Sequence, residues 1–241
     1  TMLGGKVKTI YGGGYASGGD AAVSGSTSIK ILGGKVGSLY GGGKGNNHIS
    51  STGPTVVYIG SDTTANSVYG GGEGAVVKGD AIVTVEGTVI NEVGGGDGDK
   101  GTVEGSAFVT IESGAVVEKN NGGKAIVKGG GNNTVDGKTI VTIAGTVVGD
   151  VYGGGDGLVA QGTSVVLQSG AKVSGKEIGV YGGGTNSEGV VTGGTSVIIK
   201  TGAMVNNTGG MYSGVYGGGR GDVGCALAAG AQLRPFAKGQ Q

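Results

Sequence analysis

Three consecutive glycines recur along this chain, and the repetition restricts the fold more than any other feature. The triplets are spaced 24 to 35 residues apart and begin at residues 12, 41, 70, 94, 129, 153, 182 and 217. A single triplet would be typical of a phosphate-binding loop or a flexible linker. Eight copies indicate a repeated structural unit instead.

Two phrases recur around the triplets. A β-forming segment that ends in tyrosine precedes six of them, as in "SLYGGG" and "DVYGGG", whereas "NEVGGG" at 91–96 and "IVKGGG" at 126–131 lack the tyrosine. A second phrase lies between triplets, for example "GDAIVTVEGTV" at 79–89 and "GKTIVTIAGTV" at 137–147. Because β-branched residues bounded by glycine dominate and no 3.6-residue period is present, these phrases predict short strands and no helix.

A unit of this length cannot bury its own apolar face, but stacked units can. The sequence therefore predicts an all-β fold, a parallel β-solenoid (β-helix) of about eight coils with 24–35 residues per coil. Equivalent residues then stack in columns, and the glycine column marks where each coil turns with positive φ or approaches its neighbour too closely for a Cβ. A second column is predicted to form a partial aromatic ladder and to supply weak candidate ligand-binding residues: Tyr11, Tyr40, Tyr69, Tyr152, Tyr181 and Tyr216.

The repeat pattern also predicts the domain organisation. Residues 1–233 form a single solenoid domain whose opening "MLGGKVKTIYGGG" starts inside a unit, and 234–241 form a non-repeating tail. The segment "GCALAAGAQL" at 224–233 resembles a degenerate last coil. Because an open solenoid end exposes edge strands, we expect either a fragment of a longer protein or a ladder whose caps are not obvious in the sequence.

Charge and cysteine content exclude several partners. Seventeen basic and seventeen acidic residues balance, which gives no electrostatic basis for binding nucleic acid or an anionic membrane. There is no long apolar run and no signal peptide at residue 1, so no membrane insertion is predicted. The single cysteine, Cys225, excludes an internal disulfide, and with one histidine it cannot form a zinc site. No cofactor and no metal are predicted.

Two short motifs have alternative explanations. Arg220-Gly221-Asp222 is the tripeptide of integrin ligands, but Lys44-Gly45 and Asp156-Gly157 occupy the same turn in other units, which favours turn chemistry at a solvated corner. The segment "GGGDGDKG" at 94–101 is similar to calcium-binding nonapeptide repeats, yet the period here is near 29 residues. A calcium-binding solenoid is therefore an alternative function.

Two further alternatives concern ice and polysaccharide. Thr84, Thr110 and Thr142 align in successive units, as an ice-binding face requires, although the next units place Leu167 and Ile199 in that column. A polysaccharide-cleaving β-helix needs clustered carboxylates, and the acids are spread over the units. The sequence therefore predicts no enzyme, with polysaccharide cleavage as the main alternative.

Insertions are concentrated in one variable stretch of the unit. It lies before the glycine triplet, at 60–66, 118–124, 174–179 and 206–214. Insertions on one edge of a solenoid form loops, and such loops are where binding sites arise.

The central strands are apolar on both faces. One parity contains Val83, Val109 and Val141, and the other contains Ile82, Phe108 and Ile140. Only one parity can face the interior. The apolar residues of the other parity should form a stripe on the outside. This stripe would associate with a second copy or a neighbouring domain, or a loop of the same chain would cover it.

Units such as "VYGGGDGLVAQGTSVVLQSGAKVSG" resemble the glycine-rich β-strand repeats of large bacterial cell-surface and autotransporter-like adhesins, over roughly residues 1 to 233. The resemblance implies an extracellular or cell-surface location and a structural or adhesive role without catalytic residues. We therefore expect a rigid stalk that binds carbohydrate or a host surface, or that self-associates through one face.

Overall fold

The structure is a computed structural model that describes residues 1–186, 188–208 and 214–220, and the backbone of residues 232–234. Its only helical element is a short 3-10 turn at Asn120–Gly122. No helix in this part of the chain is long and apolar enough to cross a membrane.

Twenty-one strands make up the described fold. In chain order they are β1 Lys6–Tyr11, β2 Tyr15–Ala16, β3 Thr27–Tyr40, β4 Lys44–Gly45, β5 Ile49–Ser51, β6 Thr55–Tyr69, β7 Val76–Val77, β8 Ala81–Val85, β9 Thr88–Gly94, β10 Ala107–Ile111, β11 Val116–Val117, β12 Ala125–Lys128, β13 Thr139–Ile143, β14 Thr146–Tyr152, β15 Thr163–Leu167, β16 Lys172–Gly175, β17 Gly179–Tyr181, β18 Thr195–Ile199, β19 Met204–Asn207, β20 Gly214–Tyr216 and β21 Gln232–Arg234.

All strand pairs are parallel and join each coil to the next. The first strand of the coil forms one ladder, in which β8 pairs with β6 and β10, and β13 pairs with β10 and β15. The strand that ends at the glycine triplet forms another, through β12, β14, β17 and β20. The predicted parallel β-solenoid is confirmed, with about seven turns where the sequence predicted about eight.

Strict strand register places the apolar residues in inward-facing columns. One column is at most 1% exposed and contains Ile31, Ile59, Val85, Ile111, Ile143 and Leu167. Val83, Val109 and Val141 lie in the core beside it, and Ile82, Phe108 and Ile140 lie on the outside, half-buried. Side chains alternate between the two faces of a strand, so one apolar set faces the core and the other faces outward, as predicted.

A second, smaller apolar core was not predicted. It is a column of fully or almost fully buried valines joined by parallel bridges: Val77, Val103, Val135, Val159 and Val191. The signal in the sequence was a valine two residues before a glycine, as in "VKG", "VEG" and "VDG". These bridges close the side of each coil that follows the glycine triplet.

The glycine triplets stack because of close approach. A Cβ on Gly153 would lie 2.2 Å from the carbonyl oxygen of Gly182, and one on Gly129 would lie 2.1 Å from that of Gly153. No triplet glycine has positive φ. Of the two predicted reasons for the glycine column, steric exclusion of a side chain is therefore the one that applies.

The triplet at 94–96 occupies a different register from the others. Gly94 pairs with Tyr69, so Gly95 aligns with Gly70 and Asp97 takes the place of the third glycine. The prediction that all eight triplets are equivalent is wrong by one residue here. The sequence signal was the missing tyrosine in "NEVGGGD", which moves a glycine into the tyrosine column.

A column of threonine hydroxyls satisfies the carbonyls of the first triplet glycines. Thr27 and Thr55 donate to the carbonyls of Gly41 and Gly70 at 2.6 Å, and Thr139, Thr163 and Thr195 do the same in later coils. Ala81 and Ala107 interrupt this column. The glycine carbonyls that a threonine at either of these two positions would reach therefore lack a hydroxyl donor.

This interruption gives a prediction about stability. Ala107→Thr should supply the missing donor and raise the free energy of unfolding by about 1 kcal/mol, whereas Thr139→Val should lower it by about 1–3 kcal/mol by leaving a buried carbonyl unpaired. Urea denaturation followed by circular dichroism measures both. Loss of stability in Ala107→Thr would show that the extra methyl group does not fit.

Candidate functional site: the tyrosine column and the outer surfaces

The predicted tyrosine column exists as two separate stacks. Tyr11, Tyr40 and Tyr69 stack with ring centroids 5.2 and 5.1 Å apart, and Tyr152, Tyr181 and Tyr216 stack at 4.8 and 5.0 Å. Strand register produces these contacts, because each ring lies one strand above the next. Such near-parallel rings add stabilisation beyond simple burial.

The rings are mostly covered by one another. Tyr69 is 8% exposed, and Tyr152 and Tyr181 are each 3% exposed, whereas Tyr216 is 37% exposed. Burial raises the pKa of Tyr40 to about 12, and the pKa of Tyr181 is raised further, also mainly by burial. Ligand binding by these six residues stays a prediction, and the open ring area that it would need is at the two outer ends of the stacks, Tyr11 and Tyr216.

Lys128 occupies the tyrosine column between the two stacks. It pairs in register with Gly94 on one side and Tyr152 on the other, and its side chain is 5% exposed. Its Nζ lies 2.8 Å from Glu92 Oε1 and 2.7 Å from Asp156 Oδ2. Burial alone would lower the pKa of Lys128, but these two carboxylates outweigh it and raise the pKa, so the ammonium stays charged.

Asp97 is the second buried charged group near the break. Its Oδ1 accepts a hydrogen bond from the Asp99 amide, whereas its Oδ2 is enclosed without a hydrogen-bond partner among the described residues. Burial raises its pKa to about 6, although nearby amides, including those of Gly74 and Gly101, partly offset this effect. An aspartate at a position that is otherwise glycine therefore carries a penalty for ionisation.

The raised pKa of Asp97 predicts a pH dependence of stability. The native carboxyl, with a pKa about 6, binds a proton more tightly than the unfolded one, with a pKa about 4, so its contribution to stability falls as pH rises through that window. Relative to Asp97→Asn, the wild-type chain should gain about 2–3 kcal/mol between pH 7 and pH 4. Urea denaturation of both proteins at several pH values measures this difference, and a constant difference would contradict it.

Arg220 begins the predicted Arg-Gly-Asp tripeptide. Its guanidinium donates to the Tyr152 hydroxyl at 3.5 Å, and its Nη1 lies 3.9 Å from Asp150 Oδ2. Asp150 also accepts a hydrogen bond from the Gly179 amide at 2.7 Å. Gly221 and Asp222 lie outside the described residues, so integrin recognition stays untested.

Asp97 and Asp99 of the segment at 94–101 are the residues similar to a calcium site, and Asp156 follows the glycine triplet of a later coil. Asp156 binds Lys128 and accepts from Thr185, and no group of three or more histidine, cysteine or acidic residues in the described part of the chain could hold a metal ion. The threonine column also differs from its prediction. Val166 and Ile198 follow Thr142, because Leu167 and Ile199 have the inward parity of Ile143.

The variable stretches before the glycine triplets, which lie along one edge of the solenoid, take several forms. Residues 60–66 continue within β6, residues 118–124 contain the 3-10 turn, and residues 174–179 link β16 to β17. Lys124 donates through Nζ to the Glu177 carbonyl across this edge. In 206–214, residues 209–213 lie outside the described part of the chain.

A cleft of about 380 Å³ lies at the corner after the first strand of the coil. Ser61, Glu86, Glu112 and Ser113 line it, together with Gly114. Because Val85 pairs with Ile111, the two glutamates are one coil apart. The Tyr58 hydroxyl donates to Glu86 Oε2 at 2.5 Å. Sequence reasoning missed this pair, although Glu86 in "VEG" at 85–87 and Glu112 in "IES" at 111–113 follow equivalent strands.

No protein-family model, curated protein or solved structure matches this chain in the comparisons with known proteins.

Proposed function

We propose that this chain is a structural and adhesive repeat domain of the bacterial cell surface, a rigid stalk that binds carbohydrate and associates laterally with copies of itself. The observation that supports the proposal is the parallel ladder that joins every described coil in register. Backbone hydrogen bonds, stacked glycines and stacked tyrosines all run along the same axis. A rod joined in this way resists bending and separates its two ends.

The location is tested on intact cells that produce the protein. An antibody raised against this chain should label unpermeabilised cells, and external protease should remove the label. Labelling that requires cell lysis would overturn the proposal.

The adhesive role is tested on a glycan array. Tyr216 is the most exposed ring of the tyrosine column, so Tyr216→Ala should weaken carbohydrate binding. Tyr15, which is 68% exposed and lies outside the column, supplies the matched control Tyr15→Ala. Absence of binding by the unaltered chain, or equal loss in both variants, would contradict binding through the tyrosine column.

The cleft supports a second candidate, cleavage of polysaccharide. Two carboxyl groups beside a sugar-sized cleft suit general acid and base roles. Under this candidate, Glu86→Gln and Glu112→Gln would each abolish the release of reducing sugar from polysaccharide substrates. Equal rates in the unaltered chain and both variants would exclude it.

A further inference from the structure

The outer face of the first-strand ladder is uncharged over several coils. Val56, Ile82, Phe108 and Ile140 form one column on it and are only half-buried. Their inward neighbours, Val57, Val83, Val109 and Val141, are at most 1% exposed. The apolar residues of the outer column therefore do not belong to the core of this chain.

A second column beside it is hydroxyl-bearing. Thr84, Thr110 and Thr142 stack in register on β8, β10 and β13. Within the described part of the chain, no hydrogen bond involves their hydroxyls. The face therefore offers a strip of apolar groups next to a strip of hydroxyl groups that can bond to a partner.

The order of residues on the three central strands of this face, β8, β10 and β13, is symmetric about β10, whereas the flanking strands β6 and β15 differ from each other. Going outward from Phe108, Ile82 on β8 corresponds to Ile140 on β13, and Thr84 corresponds to Thr142 in the same way. At the rim that precedes the strands, the equivalent positions are Asp80 and Lys138, both exposed and of opposite charge. A face with this symmetry is complementary to itself when it is turned over about an axis along β10.

We propose that two copies of this chain pair through this face as an antiparallel dimer, with β8 of each copy opposite β13 of the other. Phe108 then meets its own counterpart on the axis, and each Asp80 meets a Lys138. The inference rests on the proposed lateral self-association and adds its geometry. The dimer geometry concerns contacts between two stalks and does not depend on carbohydrate binding.

The size of the face sets the expected strength. Five strands at about 4.8 Å by five residues at about 3.3 Å give about 400 Å² per copy. This is below the size of stable specific interfaces and within the range of weak, transient ones, so we expect a reversible dimer of micromolar or weaker affinity. Stalks that project from two opposing surfaces meet in this antiparallel arrangement, and many such contacts would gain further from multivalency.

One charged group at the rim of the uncharged face opposes the pairing. Glu112 lies at the corner after β10, close to the axis, where it approaches its own counterpart. Like charges across an interface weaken it. Glu112→Gln should therefore strengthen the dimer, which an arrangement without this two-fold axis does not require.

A charge-reversal cycle tests the arrangement. Sedimentation velocity between about 1 µM and 1 mM protein should show a monomer–dimer equilibrium. Lys138→Glu and Asp80→Lys should each weaken it by about tenfold, because each creates two like-charge contacts, and the double variant should regain most of the affinity. Lys172→Glu, on an exposed lysine of β16, is the control.

The outcomes separate the inference from the proposed function. A monomer at every concentration overturns self-association but leaves the surface location and carbohydrate binding as tested above. A dimer without coupling between positions 80 and 138 overturns the antiparallel geometry. Because Asp80 accepts a hydrogen bond from the Ser106 amide at 2.8 Å, the melting temperature of each variant is measured as well.

Discussion

Replacing Lys128 by methionine is expected to lower the free energy of unfolding by about 3–5 kcal/mol. The substitution keeps most of the side-chain length but removes the positive charge that contacts both Glu92 and Asp156. Two carboxylates would then face each other without a cation between them, at a place where the lysine side chain is only 5% exposed. Urea denaturation followed by circular dichroism at neutral pH measures the loss.

The control for this prediction is Lys172→Met, on an exposed lysine that is also in register with its neighbouring coils. It should change stability by less than about 0.5 kcal/mol. The combined variant Lys128→Met, Glu92→Gln, Asp156→Asn should recover much of the stability, because it removes the unpaired charges. An equal loss in the single and combined variants would show that packing of the lysine, and not its charge, stabilises the gap between the tyrosine stacks.

Replacing Gly153 by alanine is expected to have a comparable effect, about 3 kcal/mol or more. The new Cβ would lie 2.2 Å from the Gly182 carbonyl oxygen, which is backbone and cannot rotate away. The two coils would have to separate, which would disturb the neighbouring Tyr152–Tyr181 stack and the bond from Thr163 to the Gly182 carbonyl.

The matched control is Gly194→Ala. This glycine is exposed, has no heavy atom within 4 Å of the added Cβ, and does not have positive φ. Its substitution should be neutral or slightly stabilising, because alanine restricts the unfolded chain. A similar melting temperature for both variants would contradict the steric explanation of the glycine column.

Much of the fold follows from periodicity in the sequence. The recurring "AIVTV" and "VYGGG" phrases predicted a parallel ladder and the stacking of Tyr40 on its neighbours, and the structure agrees; that Val83 and not Ile82 faces inward is a result of the structure. These features depend on spacing that repeats from coil to coil, so they can be counted in the chain. The shift at Gly94 and the position of Leu167 were missed, because alignment by phrase does not fix the register to one residue.

The candidate sites depend more on contacts between coils. Lys128 with Glu92 and Asp156, Asp97 beneath its loop, and the cleft between Glu86 and Glu112 each join residues of different units. The contacts of Lys128 and Asp97 do not repeat, so periodicity gave no signal for them, whereas Glu86 and Glu112 follow equivalent strands and could have been paired from the repeat. Burial, which determines the pKa of Asp97, likewise depends on which loop covers the side chain.

The sequence by itself determined that this chain forms a stacked, parallel β structure, because β-branched runs and glycines recur at spacings that only stacked coils can satisfy. It also indicated most of the side chains that form columns, with the exceptions at Gly94 and Leu167. Only the tertiary structure decided which columns are continuous, which charges are buried together and which outer face is symmetric. The physical reason is that those properties depend on the register between coils, where a shift of one residue exchanges the inner and outer faces of a strand.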